Sequence, residues 1–78
     1  MPRYYFNIRS SRELIRDPDG TELPDLAAAR SEAERAAREL LAELLKHGEV
    51  LDGQVFEIAD ADGHVLDHLP FRNVLRLP

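Results

Sequence analysis

The stretch "DLAAARSEAERAARELLAELLKH", residues 25–47, decides the fold. Leu26, Ala29, Ala33, Ala36, Ala37, Leu40, Leu41 and Leu44 recur at steps of three and four. They form one apolar stripe on an α-helix, and Glu32, Arg35, Glu39, Glu43 and Lys46 take the opposite face. Asp25 is placed to cap the free amides of the first turn, and Gly48 to take the left-handed closing position. Lys46 and His47 stand near the negative end of the helix dipole. Glu34 precedes Arg38 by four residues, the favourable order for an ion pair. At 1.5 Å per residue this helix is about 35 Å long.

Extended segments flank it on both sides. In "RYYFNIR" (3–9) Tyr4, Phe6 and Ile8 alternate with Arg3, Tyr5, Asn7 and Arg9, the pattern of a half-buried strand. A polar turn leads to "ELIR" (13–16) as a short return strand, and Pro18 and Gly20 end extended structure there. Beyond the "GEVLDG" connector, "QVFEIAD" (54–60) and "HVLDHLPF" (64–71) read as two further strands. The tail places Phe71, Val74 and Leu75 at helical spacing but is equally compatible with an extended chain. The expected fold is α+β, ordered β-β-α-β-β, a small antiparallel sheet with one long helix on one face. The 78 residues make a single domain, 1–78. Its expected core is Tyr4, Phe6, Ile8, Leu26, Ala33, Ala37, Leu40, Leu44, Phe56, Ile58 and Leu66.

"DPDG" (17–20) and "DADG" (60–63) raise the question of a metal. A calcium loop of the EF-hand kind needs oxygen ligands at positions 1, 3 and 5, glycine at 6 and glutamate at 12. With Gly63 at position 6, positions 1 and 12 fall on Ile58 and Leu69; with Gly20 there, on Ile15 and Leu26. Both fail. Aspartate that accepts backbone amides and glycine at positive φ explain the same residues as tight turns. His64 and His68, four apart in a strand, stand about 13 Å apart, too far to share one zinc. No metal and no cofactor is expected.

The chain has no cysteine, so it holds no disulfide or thiolate site. There is no nucleophile–base pair and no glycine-rich phosphate loop, and catalysis is not expected. The net charge is −5, unevenly spread. Four arginines face one glutamate in residues 1–16, while residues 17–67 hold fourteen acids against four bases. That balance disfavours nucleic acid in general. The best nucleic-acid candidate is the outer face of the first strand, Arg3-Tyr5-Asn7-Arg9, with one aromatic between arginines. No apolar run suits a signal peptide or a membrane span, so a cytoplasmic protein is expected.

"MPRYYFNIR", "DPDGTELPDLAAARSEA" and "ADADGHVLDHLPFR" together resemble a widespread family of small bacterial proteins of unknown function. These begin Met-Pro-Arg-Tyr-aromatic-Phe and carry a Gly-Thr-Glu-Leu-Pro-Asp helix start. The resemblance spans nearly the whole chain and implies no activity. The segment "ARELLAELLKHGEVL" is similar, at the level of fold alone, to antitoxin domains of the HicB kind.

Three functions are compatible with these residues: a non-catalytic, self-associating interaction module open to a regulatory role; an antitoxin-like neutraliser of a toxin partner; and a small nucleic-acid binder. The first is favoured. The regular hairpin register that "DADG" implies puts Tyr5, Val55, Ala59, Val65 and Leu69 on the sheet face away from the helix. Leu41 and Leu45 overrun the sheet. A homodimer through Tyr5, Val55, Val65 and Leu69, or through Leu41 and Leu45, is therefore expected.

Overall fold

The computed structural model describes residues 1–48 and 53–74. Strands β1 (Arg3–Arg9), β2 (Leu14–Ile15) and β3 (Thr21–Glu22) precede helix α1 (Leu26–Lys46); β4 (Val55–Ala59) and β5 (Val65–Pro70) follow, and a 3-10 turn (Phe71–Val74) ends the described chain. All pairings are antiparallel, in the order β2-β1-β4-β5, with β3 paired to the same edge of β1 as β2. The α+β architecture agrees with the sequence, with one strand more than it suggested. Thr21–Glu22, just past Gly20, pairs with Tyr4 and Arg3. Two residues carry no periodicity, so nothing in the sequence marks them.

The helix boundaries follow their signals. Asp25 Oδ1 accepts the Ala28 amide at 2.8 Å, and Gly48 sits at φ 68°. The ion pair on the outer face is Arg35 with Glu32 and Glu39 at 2.6 Å each, rather than Glu34 with Arg38. Arg35, by its hydrogen bond and its charge, holds the Glu32 carboxyl below its usual range.

The buried stripe is Ala29, Ala33, Ala37 and Leu41. Three alanines let the helix backbone approach the sheet closely, and Leu41 then drops into the core at 2 % exposure. The expectation that Leu41 lacks cover is thus corrected. Leu40 and Leu44 are half-buried, and Leu26 is exposed.

A β-bulge corrects two further assignments. Val55 through Ile58 pair with Pro70 through Asp67, but Ala59 pairs with Val65, so Leu66 is an extra residue. An extra residue reverses the parity of everything beyond it. Leu69 therefore joins Phe56 on the helix side and is buried, while Leu66, expected in the core, is 43 % exposed. Phe71 and Val74 fold back into the core, and the Phe71 amide donates to the Gln54 carbonyl at 3.0 Å. The expectations for most of the "GEVLDG" connector and for Leu75 fall outside the described residues.

Candidate functional site

One sheet face lies under α1. The other carries Tyr5, Asn7 and Arg9 of β1, then Val55, Glu57 and Ala59 of β4, then Val65, His68 and Pro70 of β5, by register. Its centre was expected to be apolar and is not. Asn7, Glu57 and His68 stand side by side across three strands. Glu57 is 7 % exposed, and its Oε2 accepts from Arg9 Nε at 2.5 Å, with His68 Nε2 at 3.9 Å. A carboxylate this covered requires a partner, and the guanidinium supplies it. Arg3 is likewise engaged, with Glu22 and the Asp19 carbonyl. The nucleic-acid reading relied on Arg3 and Arg9, and both guanidinium groups are bound within the chain.

Of the residues expected at an interface, Leu41 and Leu69 are in the core and unavailable to a partner. Tyr5 and Val55 are half-buried on the open face; Val65 and Leu45 are 44 % and 62 % exposed.

The two look-alike turns have different duties. In "DADG" Asp60 Oδ1 accepts the Asp62 and His64 amides, both at 2.9 Å, and Gly63 closes the turn onto the Asp60 carbonyl. The His64 amide leads these hydrogen bonds in holding the Asp60 carboxyl below its usual range. In "DPDG" Asp17 does the same for Asp19 and Gly20 at 3.2 Å, and more. β2 and β3 leave a gap along the edge of β1, and Asp17 fills it. Its Oδ2 accepts the Phe6 amide at 3.2 Å, and its own amide donates to Asn7 Oδ1 at 2.9 Å.

Asp60, Asp62 and His64 bring one donor atom each to within 4.8 Å of one another. The sequence reading discarded His64 because it weighed that residue only against His68. The turn is already closed by its own hydrogen bonds, so it needs no ion to hold its shape. Adding calcium or zinc, or a chelator, should leave the melting temperature unchanged; a rise of several degrees with either ion would show a site there.

The far edge of the sheet is also guarded. The Phe71–Gln54 bond fixes the register so that the His68 and Pro70 backbone groups point away from β4. At His68 the amide is capped by Asp67 Oδ1 at 2.8 Å, and Arg30 Nη1 reaches the carbonyl at 3.4 Å while pairing with Asp67 at 2.5 Å. Burial pushes the Asp67 carboxyl up, but the His68 amide and the Arg30 guanidinium outweigh it and hold it below its usual range. Proline has no amide to leave open. Both devices oppose the addition of another strand.

A second surface lies on the helix side. Arg30 ties α1 toward β5, and the helix packs over β4, β5 and the 3-10 turn. Phe6 and Ile8 of β1 are left half-buried, and Ile15, opposite Ile8, is 51 % exposed. Ala36 and Leu40 of the helix are half-buried against the same core as Phe6 and Ile8, with Glu32, Glu39 and Glu43 at the spacing that shares Ala36's flank.

Among the described residues no helix is long and apolar enough to cross a membrane. No curated protein and no solved structure matches the chain, so the likeness to HicB-type antitoxins gains no relative to rest on. A family model does match, over residues 3–72 of the 78, and the chain belongs to that family, described as a domain of unknown function (DUF6894).

Proposed function

We propose that this protein is a non-catalytic interaction module that self-associates as a two-fold dimer. One observation carries the reading: the strip of Phe6, Ile8 and Ile15, on the face the helix ought to cover, stays half-open because the helix sits toward β5. A domain of 78 residues has little apolar surface to leave unused. The charges around the strip favour a second copy as its occupant. The hairpin that carries Ile15 also carries Arg12, without an acidic partner among the described residues, whereas the helix flank on that side carries Glu32, Glu39 and Glu43, which share only Arg35 and His47 at exposed positions. A two-fold axis over the strip sets the hairpin of one copy against the helix of the other. The guarded sheet edges direct association to a face.

Sedimentation velocity at micromolar concentration tests this. The expected particle has twice the 8.9 kDa chain mass. Ile15→Glu, at an exposed position, should give a monomer with an unchanged circular dichroism spectrum. A wild-type monomer would sink the proposal, and so would a dimer indifferent to Ile15→Glu.

A further inference from the structure

Between the two DxDG turns, on the open sheet face, lies a shallow groove of about 270 Å³. Tyr5, Ala59 and Ala61 give it an apolar lining, and Asn7, Arg16, Asp17 and Asp60 give it polar groups. We infer that this groove binds the carboxylate group of a small organic molecule. It is separate from the strip assigned to self-association.

The hydrogen-bond ledger of the groove is one-sided. Asn7 is nine-tenths buried. Its Oδ1 must face the Asp17 amide, because that amide can only donate; this fixes the side-chain rotamer and turns Nδ2 the other way. Nδ2 has no partner among the described residues, yet no unpartnered side-chain polar atom is sealed from solvent there. Asn7 Nδ2 is thus an unpartnered donor open to solvent on a residue that lines the groove. Arg16 adds a guanidinium without an acidic partner among the described residues.

The groove's two carboxylates are already engaged within the chain. The Asp17 carboxylate accepts three backbone amides, those of Phe6, Asp19 and Gly20. Asp60 accepts the Asp62 and His64 amides and lies 3.3 Å from His64 Nδ1. Open donors beside carboxylates engaged with the chain favour a ligand group that only accepts. A carboxylate fits this requirement, and its planar pair of oxygens matches a guanidinium. A phosphate dianion is disfavoured, since two aspartates stand beside it and repulsion grows with ligand charge. The alanines and the Tyr5 ring suit a short apolar substituent.

The probes are N-acetylalanine and its uncharged amide, followed by two-dimensional NMR of the 15N-labelled protein. The acid should shift the Asn7 side-chain amide and the Ala59 and Gly63 backbone signals saturably at millimolar concentration; the amide should not. Arg16→Gln, at an exposed position, should weaken binding on the order of tenfold. Asn7→Asp keeps an acceptor for the Asp17 amide and removes the donors, and should abolish the shifts. Absence of saturable shifts in the wild-type protein, equal shifts with acid and amide, or full binding by folded Arg16→Gln would each overturn the inference. Oligomeric state should not change in any arm, so failure here and failure of the dimer are told apart.

Discussion

Gly20→Ala should destabilise the domain by about 3 kcal/mol, while Gly63→Ala, the same change in the matching turn, should cost only about 1 kcal/mol. Both glycines hold positive φ, 68° and 87°, so alanine meets backbone strain at either position. They differ in what surrounds them. A Cβ on Gly63 meets nothing within 4 Å. On Gly20 it would stand 2.8 Å from Arg3 Cγ, 2.9 Å from Tyr5 Cε2 and 3.0 Å from the Tyr4 carbonyl oxygen. Arg3 is held by Glu22 and the Asp19 carbonyl, and Tyr4 is paired with Thr21, so neither yields without loosening β3. Displacing the turn would also pull Asp17 from the Phe6 amide and Asn7. Urea unfolding of the two variants checks this. Equal midpoints would mean that "DPDG" is only a turn and does not hold the edge of β1.

How far the sequence could be read depended on whether a feature is local. The helix announced itself because Asp25, the alanine–leucine stripe and Gly48 all lie on one continuous segment. Alternation in β1 was equally plain. The bulge at Leu66 was not, because "HVLDHLPF" alternates convincingly in either parity and only pairing with β4 selects one. From that slip follow the misplacement of Leu66 and Leu69 and the mistaken view of an apolar open face. Glu57 stands between Phe56 and Ile58 in the sequence, yet the guanidinium that pairs with it belongs to Arg9, 48 positions away. Asp17 was read for the turn it starts; the Phe6 amide it also satisfies belongs to another strand. The groove around Asn7 is of the same kind, since the residues that make it converge from β1, the β2–β3 turn and the β4–β5 turn. Thr21–Glu22 shows the lower limit: two residues paired to an edge leave no pattern to detect.

Phe71→Ala should cost about 3–5 kcal/mol, the range for emptying a buried aromatic site. The domain as a whole has roughly 4–12 kcal/mol to lose, by the usual stability per residue over a chain of this length. Phe71 is 2 % exposed and stands 4.8 Å, edge to face, from Phe56; Phe56 in turn lies 6.1 Å from Phe6. The three rings run across the sheet, with Phe71 at the deep end and Phe6 half-exposed at the other. Leu41 borders the same region from the helix, and Val74 is buried one turn further along. No neighbour can refill the space easily: the alanine row of α1 is already close to the sheet, and Pro70 stiffens the chain just before the ring. The variant should therefore show a large loss of cooperativity in thermal and urea unfolding, whereas Phe6→Ala should remain folded with a smaller shift. A Phe71→Ala protein that unfolds at the wild-type midpoint would remove the 3-10 turn from the core.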